Sequence, residues 1–149
     1  MPTAFEDLVT SLRPRLRRAI LGFAPRDEVD DVLSEAFLYA SEHWDEVSGM
    51  TNPAGYLFRV CQSRSRRRAA GFLPAPDSLG LPEVEPGLVP ALEAMPMTQR
   101  TAVWLVHACG WPYAEVAEAM GTSTSTVGNH VSRALARLRA DLEAQHAEH

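Results

Sequence analysis

Lysine is missing altogether: every one of the fourteen basic residues is arginine, set against nineteen acidic ones for a net charge of -5. A chain that grips nucleic acid alone is as a rule basic. This one would need a partner to supply the grip. Cysteine is scarce, and Cys61 and Cys109 lie in different halves without the paired spacing of a disulfide framework or a metal site, so they read as core thiols. His43, His107, His130, His146 and His149 show no ligand spacing, and neither a metal nor a cofactor is expected. No apolar run approaches the ~20 residues of a membrane helix; the stretch Thr101 to Ala114 is broken by His107 and Pro112. Glu6 and Asp7 stand where an export signal carries positive charge, so a cytoplasmic protein without membrane insertion is expected. No nucleophile-base pair, phosphate-cradling glycine loop or carboxylate dyad is evident, which argues against an enzyme.

What is present is helical pattern. The 46% hydrophobic content suits a folded chain rather than a disordered one. Phe5, Leu8, Leu12, Leu16, Ile20 and Phe23 recur at three- and four-residue spacing, with Arg13, Arg15, Arg17 and Arg18 on the other face. Pro14 either kinks this helix or starts its main segment. A second helix after Pro25 places Val29, Val32, Leu33, Ala36, Phe37, Ala40 and Trp44 on one side. Asn52 and Pro53 read as N-cap and first residue of a third helix. Its start, Tyr56, Leu57, Val60 and Cys61, can pack, whereas Gln62 to Arg68 is expected to leave the bundle as a cationic rod. Five prolines and three glycines between Gly71 and Pro90 forbid a long helix there and mark a boundary. A second module then begins near Leu88, with Leu92 and Met95 on its first face and Thr98 as the expected cap of the next helix. The expected fold is all-α: two small helical bundles, residues 1–71 and 88–149, joined by a linker at 72–87.

Two constellations carry chemistry. The first is PYAEVAEAMGTSTSTVGNHVSRALARLRADL, residues 112–142. Val116, Ala117 and Met120 give a short apolar face ending at Gly121, which suits a tight turn; Ser123 or Thr124 caps the next helix, and Val127, Val131, Leu135 and Leu138 give it an inward rhythm. That is a helix-turn-helix pattern, whose second helix presents Thr124, Ser125, Gly128 and Asn129 to base edges with Arg133, Arg137 and Arg139 within reach of phosphates. Trp104 and Trp111 read as core aromatics. The second is the arginine cluster Arg64, Arg66, Arg67 and Arg68, a solvated helix end on its own but a phosphate-binding element beside a helix-turn-helix.

On these residues, from FEDLVTSLRPRLRRAI to TVGNHVSRALARLRADL, the chain resembles the extracytoplasmic-function group of bacterial sigma factors, which consist of little more than regions 2 and 4 and a linker. DEVDDVLSEAFLYASEHWDEV is similar to the family's polymerase-docking helix, which implies that Asp30, Asp31, Ser34, Glu35 and Leu38 face core RNA polymerase. NPAGYLFRVCQSRSRRR resembles the segment that opens the minus-ten element and captures a flipped base; the implied positions are His43, Val47, Val60 and Ser63, with Arg64, Arg66, Arg67 and Arg68 near the backbone. The region 4 resemblance implies minus-thirty-five contacts from Thr124, Ser125, Gly128, Asn129, Arg133 and Arg137. The implied function is promoter recognition and transcription initiation, with core polymerase and promoter DNA as partners and an anti-sigma protein as a further one.

The sequence departs from the family at several positions. Gly128 and His130 replace the usual Lys or Arg, so a weak minus-thirty-five contact is expected. Ser34 replaces a usual Gln, Ser63 a usual Asn and Arg67 a usual Asp. These departures, with the acidic second half, keep open a sigma-like adaptor that binds polymerase or a regulator without reading DNA. A stand-alone helix-turn-helix repressor is the third reading.

Overall fold

A computed structural model of the chain describes residues 3–68 and 88–147, apart from the side chains of 66–68, 88–89 and 145–146. The expected linker, 72–87, lies outside the described residues. Helix α1 (Ala4–Leu21) starts at a capping box in which Thr3 and Glu6 bond each other's backbone N–H. It runs unbroken through Pro14, whose ring sits on the exposed side. Helix α2 (Arg26–Glu42) buries Val29, Val32, Leu33, Ala36, Phe37 and Ala40, the stripe that its spacing predicts. A short α3 (Trp44–Val47) follows, and Trp44 packs edge-on against Phe5. Asn52 caps α4 (Pro53–Arg68) by accepting from the Gly55 N–H.

The cationic second half of α4 does not leave the bundle where expected. Ser65 is buried and its hydroxyl donates to the carbonyl of Phe23, so the helix stays seated at least that far. Phe58, two turns earlier, is fully buried and meets Phe23 and Trp111 edge to face, each at 5.8 Å between ring centres.

The second half begins with α5 (Leu88–Glu93) and α6 (Met97–Val103). Pro96, not Thr98, occupies the N-cap of α6, because its fixed extended backbone already breaks the preceding helix and leaves Thr98 inside the next. The chain then widens into a π-helical turn, Trp104–Ala108, before α7 (Tyr113–Met120) and α8 (Thr124–Ala147). Gly121 closes α7 with φ +67, the left-handed conformation that a glycine adopts without steric cost. Ser123 accepts from the Thr126 N–H and so is the cap of α8. Val127 and Val131 are buried as expected, but the next inward position is Ala134 rather than Leu135, which is 37% exposed. At 3.6 residues per turn a strict four-residue rhythm drifts off the buried face, and a three-residue step restores it.

The two halves share one core. A single buried cluster runs from Leu12, Leu16 and Ile20 of α1 through Leu57 and Phe58 of α4 to Trp104, Leu105, Val116 and Val127. Helix α4 lies against α7 closely enough that a Cβ at Gly55 would stand 3.4 Å from the Ala119 nitrogen. Arg15 pairs with Glu115 and lies over the Trp111 ring, Arg18 donates to the Ala108 carbonyl, and the Asn52 side-chain amide donates to the Glu115 carbonyl. A smaller cluster of Leu92, Met95, Val103 and Ala134 ties α5 to α8.

Candidate nucleic-acid interface

Three surfaces gather the residues singled out in the sequence. The first is the outer face of α2. Its inner stripe is committed to the core, so positions 30, 31, 34, 35 and 38 fall together on the opposite side. Asp30, Asp31, Ser34 and Leu38 are exposed and Glu35 is half-buried. Asp30 accepts from Arg17 in an exposed pair, an interaction of little energetic weight in water. Leu38 is 60% exposed, a large apolar side chain in a shallow recess with Glu35, Glu42 and Arg64.

The second surface is a recess of about 410 Å³ between α2 and α4, lined by Tyr39, Tyr56, Arg59, Val60, Ser63 and Arg64. The Tyr39 ring stacks on His43 at 4.0 Å, one helical turn away, while His43 Nδ1 lies 2.9 Å from the Tyr39 carbonyl oxygen. The Tyr56 hydroxyl donates to that of Tyr39 at 3.2 Å. This bond, then burial, pushes the Tyr56 phenol up to about 12, so it stays a neutral donor at neutral pH. The recess therefore offers aromatic faces, hydroxyls and two guanidinium groups, a set suited to an unstacked base and its phosphate.

Val60, Ser63 and Arg64 from the sequence reading line this recess, and His43 backs its aromatic wall. Val47 does not: it is 1% exposed and belongs to the core, with no side-chain surface to offer a base. The side chains of Arg66, Arg67 and Arg68 lie outside the described residues. The sequence reading missed Tyr39, Tyr56 and Arg59. Tyr39 and His43 stand four residues apart on α2, which was the available signal for a stacked pair.

The third surface is the start of α8. Thr124, Ser125, Asn129, Arg133 and Arg137 are exposed, and 125, 129 and 133 follow one another at four-residue spacing along the helix. Arg137 donates to the Ala94 carbonyl at 3.3 Å, so its guanidinium is partly engaged in holding α5. Gly128 is half-buried beside Tyr113, where an added Cβ would meet the ring at 3.8 Å, an ordinary contact. Gly128→Ala is accordingly expected to stabilise the chain by up to ~1 kcal/mol. Calorimetry should show the melting midpoint rising by about 2–4 °C. A fall would mean that the glycine answers a packing need.

Both thiols are unsuited to nucleophilic or metal chemistry, since burial pushes Cys61 and Cys109 each up to about 12. Among the described residues no group of His, Cys, Asp and Glu could hold a metal ion, and no helix is long and apolar enough to cross a membrane.

Comparison with known proteins places these surfaces in context. Residues 88–138 match the family model for region 4 of Sigma-70. The chain is 31% identical to the RNA polymerase sigma-E factor of Streptomyces antibioticus, covering 95% of this chain and 86% of that protein. It is 27% identical to the ECF RNA polymerase sigma factor EcfG of Rhodopseudomonas palustris (strain TIE-1), covering 97% and 88%. Among solved structures, CnrH in complex with the cytosolic domain of CnrY superposes with a TM-score of 0.72 at 26% identity, over 95% of this chain and 88% of that one. The sigma factor RpoE of Bartonella quintana, bound to the anti-sigma factor NepR, shares the fold with a TM-score of 0.70 at 23% identity, over 93% and 96%.

Proposed function

The chain belongs to the RNA polymerase sigma factors, in their extracytoplasmic-function group, and from that premise we propose how its surfaces divide the work of starting transcription. The outer face of α2 docks on core polymerase through Leu38, with Asp30, Asp31, Ser34 and Glu35 around it. The α2–α4 recess takes a base flipped from the minus-ten element, and the start of α8 reads the minus-thirty-five element. Thr124, Ser125, Gly128 and Asn129 face its bases, with Arg133 and Arg137 near its backbone.

The observation that carries this reading is the tyrosine-walled recess flanked by Arg59 and Arg64. Flipping a base costs a few kcal/mol, so a pocket alone does not open a duplex. Polymerase supplies the remaining hold, which suits a chain of net charge -5. Such work takes place beside the chromosome, in the cytoplasm, and assigns the chain no catalytic step. An anti-sigma protein is proposed as a further partner, as NepR is of RpoE.

The experiment is transcription in vitro with purified core enzyme on genomic fragments from the native cell. Initiation from a defined subset of fragments, absent without the protein, is the expected result. A protein that binds core yet starts no transcript on any fragment would sink the promoter-reading role.

A further inference from the structure

The two halves do not meet equally closely everywhere. At Gly22 the fit leaves nothing over: a Cβ there would lie 2.6 Å from the Trp104 indole, whose N–H donates to the Ala19 carbonyl at 3.1 Å. Between α4 and the pair α6 and α7 the surfaces part instead and leave a cavity of about 360 Å³. That volume stands at the lower end of the ~300–1,000 Å³ common to small-molecule sites. Arg59, Gln62 and Ser63 line it at three- and four-residue spacing on α4 and so share one face of that helix. Thr98 and Thr101 of α6 add two hydroxyls, and Thr101 is only 3% exposed. Met97, Met120 and Ala119 complete the wall with two thioethers and a methyl group. None of the described lining residues is acidic.

We propose that this cavity binds a nucleoside phosphate, with its phosphate on the Arg59 guanidinium and its base against Met97 and Met120. A guanidinium meets phosphate oxygens with parallel N–H donors, and no carboxylate among the described lining residues competes for them. A thioether is polarisable and packs well against an aromatic ring, so two of them suit a flat base. Gln62 brings both a donor and an acceptor, which the edge of a base can use and a bare anion cannot. The hydroxyls of Ser63, Thr98 and Thr101 are left for ribose and phosphate oxygens. Arg59 and Ser63 line this cavity and the α2–α4 recess alike. Resting on the promoter-reading role, the consequence is competition: a nucleotide that holds Arg59 withholds that guanidinium from the DNA strand. Glu118 lines an adjoining recess together with Arg59, and its carboxylate draws on the same guanidinium.

The test is isothermal calorimetry of the full-length protein with GDP and with ADP, where saturable binding of at least one is expected. Guanosine, adenosine and inorganic phosphate should each bind at least on the order of tenfold more weakly, since each fills only part of the cavity. Two variants bracket the site. Thr98→Glu sets a carboxylate against the phosphate, at the start of α6 where an acid suits the helix, and should weaken diphosphate binding by on the order of tenfold or more. Glu118→Gln removes the exposed acid beside Arg59 and should tighten binding by roughly twofold to fivefold, a gain that misfolding cannot produce. No binding of either diphosphate at about 1 mM, or binding that neither variant alters, would overturn the site. Equal affinity for inorganic phosphate and the diphosphates would overturn the nucleotide assignment. Filter binding of promoter fragments by the protein with core polymerase, free of nucleoside triphosphates, reads the competition. The bound diphosphate should raise the half-maximal protein concentration by on the order of fivefold, and should leave Thr98→Glu unmoved. Binding in the calorimeter without that shift would overturn the competition. If no fragment is retained even without a nucleotide, the promoter role falls, while calorimetry still judges the site.

Discussion

Replacing Arg64, Arg66, Arg67 and Arg68 together by alanine is expected to cut initiation by at least on the order of a hundredfold, since a bond to a charged group is worth about 1.5–3 kcal/mol. Core-polymerase affinity should fall far less, because the docking residues lie on α2 and Arg64 only borders them beside Glu35 and Leu38. Helix α4 is continuous through Arg68, and positions 64, 67 and 68 fall on one side of it. Arg64 itself lines the recess. Four lost contacts to a single strand should also flatten the dependence of promoter binding on salt by about 3 in log–log slope. The measurement is filter binding and run-off transcription across a salt series. Unaltered initiation would move the chain to the adaptor reading, in which polymerase is bound and DNA is not read.

Leu38→Asp is the converse experiment, and its effect should appear on polymerase rather than on DNA. Because Leu38 is 60% exposed, the substitution should change the stability of the isolated chain by no more than about 0.5 kcal/mol. An apolar anchor at the centre of an interface is worth about 2 kcal/mol or more. Binding to core should therefore weaken by roughly thirtyfold or more at 1.4 kcal/mol per decade. Surface plasmon resonance on immobilised core enzyme reads this directly. Equal affinity of the two proteins would remove Leu38 from the docking face.

Much of the helical layout was legible because repeating apolar positions have one simple cause. The stripe of α2, the Asn52 cap and the turn at Gly121 all follow from local rules. The errors arise where tertiary packing overrides those rules. Ser65 looks like part of a solvated run until the Phe23 carbonyl arrives to accept its hydroxyl. Arg100, one of four cations after residue 71, lies buried over the Phe23 ring, where burial lowers its pKa and Glu93 opposes the shift. Val47 was placed at the recess by family likeness alone, while the chain turns it into the core. Tyr39 and Tyr56 come from different helices, and nothing in either segment records that their hydroxyls meet. The shared core was hidden for a related reason: an apolar face has the same pattern whether it meets its own bundle or another one. Phe58 and Trp111 are far apart in sequence and reveal their contact only in three dimensions.

The close seating of the Trp104 indole on the backbone at Gly22 has a bearing on heredity as well as on shape. A methyl group there becomes tolerable only where residue 104 has surrendered its indole, so neither site is free to drift alone. As lineages diverge, replacements at 22 and 104 should arrive as compensating couples, each bulkier choice at one answered by a slimmer choice at the other.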